Sequence, residues 1–267
     1  MAGFTLGPAL LFCPADRPDR FAKALDRADA VILDLEDAVA PENRPAARDA
    51  IAAAELDPER VIVRVNELGT PDFGADLAAL EPTPYRLLMV PKADAGLIGK
   101  VPAGFAVVAL CESAAGVVAA PALAAADGVV ALMWGAEDLV ASLGGTASRH
   151  ADGGYRDLAR TARANVLLAA GAAGIPAIDT VHLDIDDLDG LRAEAEDASA
   201  SGFSATACIH PSHVAVIRDA YRPTPELVDW AHRVLDAAAR EHGVFRFEGG
   251  MVDGPVLRHA EAVVRRS

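Results

Sequence analysis

The chain has 267 residues, of which 52% are hydrophobic and 24% charged, so its composition suits a folded protein with a sizeable core. Its length fits one (β/α)8 barrel, a fold that commonly forms a single domain of about 250 residues. The formal net charge of -15 argues against a broad nucleic-acid-binding surface, because such a surface needs clustered Lys and Arg.

Short apolar runs alternate with helical patterns along most of the chain. The runs are residues 9–12, 31–35, 61–65, 86–90, 106–110, 129–133, 175–179 and 204–209. Near-continuous apolar strands of this kind are typical of a parallel sheet that is buried on both faces. Eight such units predict an α/β fold, a (β/α)8 TIM barrel over residues 1–222.

Helical periodicity is clearest in residues 18–28, 41–54, 155–173, 187–200 and 224–242. The Ala-rich segment 114–126 is also expected to form a buried barrel helix. Residues 223–267 follow the eighth strand and are predicted to form a C-terminal helix and an appended arm. The Gly249-Gly250 pair in this arm allows a sharp bend.

The three cysteines and the start of the chain bear on the compartment. Cys13, Cys111 and Cys208 are widely spaced within apolar runs, which favours buried reduced thiols over disulfides or a zinc site. The N-terminus lacks the basic segment of a secretory signal, and no uninterrupted apolar stretch reaches the roughly 20 residues of a membrane span. We therefore expect a cytoplasmic protein.

Polar residues follow nearly every predicted strand, at the end of the barrel where TIM-barrel active sites lie. They are Asp34, Glu36 and Asp37, then Arg64 and Asn66, then Lys92, Glu112, Glu137, Asp138, Asp179 and His210. Each residue alone could be an ordinary loop residue. Their collection at one rim favours a functional site.

The carboxylates at this rim would repel each other unless a cation lay among them. Oxygen ligands favour Mg²⁺, with Mn²⁺ as a close alternative, and magnesium often takes only one or two protein carboxylates. Glu112 and Asp138 are the best pair because they follow adjacent strands. Asp34, Glu36 and Asp37 would then act around the metal through water, or form ion pairs with arginines 44 and 48 of the following helix.

Arg64 offers a planar fork of donors for developing oxyanion charge, and the metal could chelate an α-keto or α-hydroxy carboxylate. An internal ion pair of Arg64 with Asp34 or Glu36 is the structural alternative, and both interpretations can hold together. Lys92 could form a Schiff base, but the carboxylate-rich rim favours an electrostatic role. Dinucleotide and P-loop motifs do not occur, and the histidines lack zinc-ligand spacing.

Nine segments then occur in order: LFCPADRPDRFAKA, VILDLEDAVAPENRPAAR, VRVN, PKAD, ALCESAAGV, WGAEDLVASLGG, AIDTVHLDI, CIHPSHV and GGMVDGPVLRHAE. This ordered set resembles the citrate lyase beta-subunit-like proteins of the HpcH/HpaI aldolase/citrate lyase superfamily, to which malyl-CoA and citramalyl-CoA lyases belong. The similarity runs from about residue 9 to about residue 262.

The resemblance implies a Mg²⁺-dependent carbon–carbon lyase or synthase that acts on a 3-hydroxyacyl-CoA and assembles as a homotrimer or hexamer. It implies Glu112 and Asp138 as metal and substrate ligands, although C-E-S stands where the family often has I-E-T. Arg64 would hold substrate and enolate oxygens. Asp253 in M-V-D-G-P would be an acid/base residue that the arm delivers to a neighbouring subunit.

A basic cluster near the first strand offers candidate ligands for the polyanionic coenzyme A: Arg17, Arg20, Lys23 and Arg27. A solvated helix face is the alternative interpretation. Three rival functions stay open: a malyl-CoA-type thioesterase, the beta subunit of a citrate lyase complex that acts on an acyl-carrier-protein thioester, and a non-catalytic acyl-CoA-binding scaffold. The choice among malyl-, citramalyl-, β-methylmalyl- and hydroxymethylglutaryl-CoA depends on one methyl or methylene group, worth only about 1–3 kcal/mol in a hydrophobic pocket.

Overall fold

The computed structural model describes residues 4–241 and 243–267. Eight parallel strands form a closed barrel, and the predicted TIM barrel is therefore confirmed. The strands are β1 (Ala9–Pro14), β2 (Ala30–Asp34), β3 (Val61–Arg64), β4 (Leu87–Val90), β5 (Ala106–Cys111), β6 (Val129–Trp134), β7 (Ala177–Asp179) and β8 (Ala205–Cys208). The barrel closes where β1 pairs with β8, with Ala9 opposite Thr206 and Leu11 opposite Cys208.

Helices connect most successive strands around the barrel, and a further helix follows β8. They are α1 (Pro18–Arg27), α2 (Arg44–Ala52), α3 (Pro71–Leu80), α4 (Ala114–Val118), α5 (Ala120–Ala124), α6 (Ala136–Ser142), α7 (Asp157–Ala173), α8 (Leu188–Ser201) and α9 (Pro211–Tyr221). Local sequence sets several helix starts. Thr70 accepts a hydrogen bond from the Phe73 amide at the start of α3, and Asp187 accepts one from the Gly190 amide at the start of α8.

The prediction of a single buried helix over residues 114–126 is wrong, because this segment forms the two short helices α4 and α5. Pro121 lacks the N–H group that would bond the Val117 carbonyl of a continuous helix. The segment is also only partly buried, since Val118 is 83% exposed.

The barrel interior is filled by apolar side chains from the strands. Its buried cluster includes Leu10, Ile32, Ile62, Met89, Val108, Leu110, Met133 and Ile178. Cys13, Cys111 and Cys208 are all buried and none is in a disulfide, as predicted. No helix in the described part of the chain is long and apolar enough to cross a membrane.

The chain divides into two compact units between Ile217 and Arg218. The C-terminal unit contains helices α10 (Pro225–Ala238) and α11 (Gly254–Arg266), with strands β9 (Phe245–Phe247) and β10 (Gly250–Val252) between them. Its own buried cluster comprises Ala231, Val234, Val252, Ala260 and Val263. The predicted bend is confirmed at Gly249, whose φ of 86° lets the β9–β10 hairpin turn tightly.

Candidate active site

A cavity of about 420 Å³ lies at the C-terminal ends of the barrel strands. Its lining residues come from the ends of β1, β2, β3, β5 and β6 and from the loops after β2, β6, β7 and β8. They are Phe12, Pro14, Asp34, Asp37, Ala38, Arg64, Leu110, Glu112, Met133, Gly135, Ala136, Glu137, Asp138, Thr180, Val181, Leu183 and Ile209. The predicted trio of Arg64, Glu112 and Asp138 therefore faces one cavity.

Glu112 directly follows β5 and is only 4% exposed. Its Oε1 accepts a hydrogen bond of 3.0 Å from the backbone N–H of Lys92. The pKa of Glu112 is raised to about 8, first by burial and then by the charges of Asp138 and Glu36, against the opposing effect of Arg64. Without an added cation, this carboxylate is poorly stabilised in its ionised form.

Gly135 provides the space that Glu112 occupies. A Cβ atom at this position would lie 2.8 Å from the Glu112 Cβ and 3.0 Å from its Oε2. Gly135 precedes α6, and Asp138 lies in the first turn of that helix. Gly135 was not predicted as a site residue, although its place between strand β6 and the two acidic residues of α6 was a usable signal.

The pair of Glu112 and Asp138 fits a magnesium ion by the chemistry of its donors. Both side chains offer the hard oxygen ligands that magnesium prefers. Their negative charges repel each other, and a bound cation would offset this repulsion. Among residues 4–241 and 243–267, no group of three or more His, Cys, Asp or Glu side chains is arranged to hold a metal. A magnesium site formed by Glu112 and Asp138 stays a prediction.

Arg64 ends β3 and is held mainly by Asp34. Its Nε and Nη2 donate to the two Asp34 carboxylate oxygens at 2.7 and 2.5 Å, and its Nη1 lies 3.0 Å from Glu36 Oε2. The guanidinium also lies 5.0 Å from the centre of the Phe12 ring. Burial alone would lower the pKa of Arg64, but Asp34 and Glu36 keep it above its ordinary value. The predicted internal ion pair of Arg64 is confirmed, and Arg64 also lines the cavity. Its role toward substrate oxygens stays a prediction.

Lys92 links Glu36 to this network. Its Nζ lies 2.5 Å from Glu36 Oε1, and its backbone adopts a φ of 44° while its N–H holds Glu112. Burial opposes the lysine charge, but Glu36 raises the pKa of Lys92 above its ordinary value. A Schiff-base role needs a neutral amine, so this environment disfavours it. Lys92 was predicted as an electrostatic residue, and its geometry agrees.

The predicted ion pairs of Asp34, Glu36 and Asp37 with the arginines of α2 are wrong. Arg44 and Arg48 instead bind carboxylates of the neighbouring helix α3, Asp72 and Asp76. The two arginines of α2 thus form ion pairs within the outer layer of helices. At the strand ends, Asp34 pairs with Arg64 and Glu36 pairs with Lys92. Asp37 is largely exposed, with its Oδ2 4.0 Å from Arg64 Nη1.

Two other rim residues form separate interactions. Asp179 is buried and accepts hydrogen bonds from Arg163 and from the Trp134 ring N–H, so it joins β6, β7 and α7 rather than lining the cavity. His210 is exposed, with its Nδ1 2.7 Å from the Ser212 hydroxyl.

One wall of the cavity is apolar and was not predicted. Val181 and Leu183 come from the loop of residues 180–187 between β7 and α8, and Ile209 follows β8. Leu183 is 50% exposed and Ile209 is 38% exposed, so both apolar side chains are accessible. These apolar residues alternate with polar residues after strands seven and eight, and this alternation could have indicated the wall.

The remaining predicted residues lie elsewhere. Arg17, Arg20 and Lys23 are exposed at the start of α1, directly after β1, and Arg17 pairs with Asp19 at 3.2 Å. Asp253 belongs to the C-terminal unit, where it caps α11 by accepting a hydrogen bond from the Val256 amide. Its predicted acid/base role stays a prediction.

Comparison with known proteins agrees with this geometry. The family model described as HpcH/HpaI aldolase/citrate lyase matches residues 9–97 and 97–211. The citrate lyase subunit beta-like protein of Mycobacterium tuberculosis is 57% identical over 263 residues, covering 98% of this chain and 96% of the relative. The mitochondrial citramalyl-CoA lyase of Rattus norvegicus is 30% identical over 294 residues, covering 96% and 84%.

A solved structure adds bound molecules. The crystal structure of CitE from Mycobacterium tuberculosis in complex with magnesium, acetoacetate and coenzyme A superposes with a TM-score of 0.93 at 56% identity, covering 98% of each chain. The family match and these relatives together place the chain among carbon–carbon lyases: it belongs to the HpcH/HpaI aldolase/citrate lyase family.

Proposed function

We propose that this protein is a Mg²⁺-dependent lyase or synthase that cleaves or forms a 3-hydroxyacyl-CoA, with an acyl-CoA and a keto acid as the other reactants. The observation that carries the proposal is the buried Glu112, which shares one cavity with Asp138 and Arg64. The bound magnesium, acetoacetate and coenzyme A of the Mycobacterium tuberculosis relative support the same assignment.

Glu112 and Asp138 would hold the cation. When bound, the cation supplies Lewis-acid polarisation of the substrate oxygens. The Lys92 amide holds one oxygen of Glu112, and Gly135 leaves room for the side chain, so this chain's own residues fix the ligand before substrate arrives. Such support by neighbouring groups is what keeps a ligand in a productive orientation.

Arg64 would stabilise the negative charge of the thioester enolate. Asp34 engages two of its five N–H groups and Glu36 lies beside Nη1, so the N–H groups that these carboxylates do not engage would donate to substrate oxygens. Because Asp34 and Glu36 hold the guanidinium in place, its donors need little reorganisation as charge develops. The substrate hydroxyl loses its proton to solvent as the carbon–carbon bond breaks, which leaves a keto acid and this enolate.

Asp253 would then protonate the enolate carbon in cleavage, or remove the α-proton of the acyl thioester in synthesis. We propose that Asp253 reaches the site of a second subunit in a homotrimer or hexamer. Arg17, Arg20 and Lys23 would contact the phosphates of coenzyme A, since they are exposed at the start of α1. The buried cysteines, which form no disulfide among the described residues, support a cytoplasmic location.

A stand-alone enzyme that acts on CoA thioesters is favoured over a subunit of an acyl-carrier-protein complex. The CoA-bound relative is 56% identical and covers 98% of each chain. The Escherichia coli citrate lyase subunit beta is 33% identical over 264 residues, which cover 90% of this chain. The acyl-CoA and keto acid stay open among the malyl, citramalyl, β-methylmalyl and hydroxymethylglutaryl types. A thioesterase would release free CoA without needing any keto acid.

The test is a screen of acetyl- and propionyl-CoA against glyoxylate, pyruvate, oxaloacetate and acetoacetate with Mg²⁺, followed by chiral analysis of the products. Glu112→Ala and Asp138→Ala should each abolish Mg²⁺-dependent turnover and leave the circular dichroism spectrum unchanged. The exposed Glu55→Ala is the matched control and should keep wild-type activity. Wild-type turnover in either site variant, or hydrolysis of malyl-CoA without exchange of the keto acid, would contradict the proposal.

A further inference from the structure

The loop of residues 180–187 supplies Thr180, Val181 and Leu183 to the cavity, yet it has no regular secondary structure of its own. Between two of these cavity residues lies His182, whose side chain is 6% exposed and does not line the cavity. The alternation places Val181 and Leu183 on the cavity side and His182 on the side of α8. A group that holds His182 in place therefore also holds its neighbours Val181 and Leu183, which belong to the apolar wall of the cavity.

Two carboxylates hold His182: Glu194 of α8 and Asp187, the residue that caps the start of this helix. Its Nδ1 lies 2.9 Å from Glu194 Oε2, and its Nε2 lies 3.3 Å from an Asp187 carboxylate oxygen. The Nε2 atom is buried but makes no directed hydrogen bond. Glu194 is itself bound by both terminal nitrogens of Arg149. These contacts connect the loop to α8 through one carboxylate.

Arg149 extends this network of hydrogen bonds towards the part of the cavity that Glu137 lines. It lies in the connection between α6 and α7, and its guanidinium is 3.8 Å from the centre of the Tyr155 ring. The neighbouring Ser148 donates a hydrogen bond to Glu137, which lines the cavity beside the predicted metal ligand Asp138. A second histidine, the fully buried His213 of α9, lies with its Nε2 3.2 Å from the Ile185 carbonyl and holds the far end of the loop.

We propose that His182, in its protonated form and bound to Glu194, is a positioning residue that sets the apolar wall of the substrate cavity, with Glu194 joining this wall to the Arg149 segment. The inference rests on the proposed function for its substrate, but the fixing of the loop can be measured without turnover. It assigns His182 a role in substrate binding and none in metal binding or proton transfer.

The charges around His182 favour its protonated form. Glu194 and Asp187 face it from α8 and the start of that helix, Arg149 opposes them from the α6–α7 connection, and His213 faces it from α9. The hydrogen bond to Glu194 raises the pKa of His182 above its ordinary value. Burial opposes the charge of Glu194, but the hydrogen bonds from His182 and Arg149 keep the pKa of Glu194 below its ordinary value. Burial lowers the pKa of His213, so that ring is neutral near pH 7. The loop is therefore held below the raised pKa of His182 and released as the pH rises through it.

The first test measures hydrogen–deuterium exchange of the peptide that spans residues 180–187, at one pH and without substrate. In His182→Gln and in Glu194→Gln, exchange should be about tenfold faster than in the wild type, the scale of one lost charge-assisted hydrogen bond. The exposed His232→Gln is the matched control and should exchange this peptide at the wild-type rate. Unchanged exchange in both site variants would overturn the proposal even if the lyase activity is found.

The second test uses the keto acid in the synthetic direction, with pyruvate as the probe. The KM for pyruvate should rise about tenfold in His182→Gln while kcat stays within about twofold, because a misplaced wall weakens binding in the ground and transition states alike. The ratio of variant to wild-type KM should shrink toward one as the pH rises, since the wild type then loses the same charge. Calorimetric Mg²⁺ binding to the substrate-free protein should not change.

A fall in kcat at constant KM, or a loss of Mg²⁺ affinity, would overturn the positioning role. If no acyl-CoA and keto acid pair is turned over by the wild type, the proposed function fails, and the exchange experiment still decides whether His182 fixes the loop. Glu194→Gln serves as a second variant should His182→Gln not fold.

Discussion

Replacing Glu112 by glutamine should stabilise the metal-free protein and should at the same time remove its response to Mg²⁺. The folded protein raises the pKa of Glu112 from 4.5 to about 8, so it holds this proton more tightly than the unfolded chain does. The contribution of Glu112 to stability is therefore fully present below pH 4.5 and is lost as the pH rises toward 8. Glutamine has the same shape and can still accept the hydrogen bond from the Lys92 amide.

The magnitude follows from the width of that pH range. Each pH unit between the two pKa values changes the free energy of unfolding by at most about 1.4 kcal/mol. At pH 7 the ionisation penalty of Glu112 is thus on the order of 3 kcal/mol, and Glu112→Gln should recover much of it in metal-free protein. Magnesium at a hundred times its dissociation constant should stabilise only the wild type, by about 2.7 kcal/mol.

The assay is urea unfolding followed by circular dichroism at pH 6, 7, 8 and 9, once with EDTA and once with Mg²⁺. In EDTA the advantage of Glu112→Gln should grow with pH up to about pH 8, and added Mg²⁺ should reduce or reverse it. Glu55→Gln, at an exposed position, should follow the wild type throughout. Equal pH dependence of wild type and Glu112→Gln in EDTA would refute the reasoning.

Three further predictions concern packing, subunit sharing and a buried hydroxyl. Gly135→Ala should lower kcat/KM by about 10²-fold by displacing the metal-site glutamate, whereas Gly171→Ala, with open space around it, should keep full activity; similar kinetics in both would contradict the steric argument. Mixed oligomers of Asp253→Ala with Arg64→Ala subunits should regain part of the activity, and no rescue in verified mixtures would exclude shared sites. Tyr85→Phe should lower the free energy of unfolding by about 1–3 kcal/mol in urea titrations, because its fully buried hydroxyl bonds two backbone groups; a loss below the error of the titration would contradict this.

The sequence predicted the barrel because each strand is a compact apolar run that is bounded by polar residues. Strand bounds agree to within two residues, since burial on both faces marks these segments strongly. Helices were harder to predict. The helix α6 has only seven residues, too few for a periodic pattern, and Pro121 broke an Ala-rich segment whose composition alone suggested one helix.

For the site, the sequence could place residues at the barrel rim but could not choose their partners. Arg44 and Arg48 were expected to bind the acidic loop after β2 because they are close in the chain, yet they bind α3 across the helical layer. The Lys92 amide that donates a hydrogen bond to Glu112 belongs to a residue with a backbone φ of 44°. A lysine in the sequence gives no sign of such a positive φ. Such contacts arise from packing between segments that are far apart in sequence.

The two walls of the cavity come from different parts of the chain. Asp34 and Arg64 end β2 and β3, and Glu112 and Asp138 follow β5 and β6, whereas the apolar residues Val181, Leu183 and Ile209 follow β7 and β8. Exchange of the segments after β7 and β8 between relatives would therefore replace this apolar surface and keep the four charged residues. New substrate preferences could then be selected from a library confined to residues 180–187 and Ile209, with those charged residues unchanged.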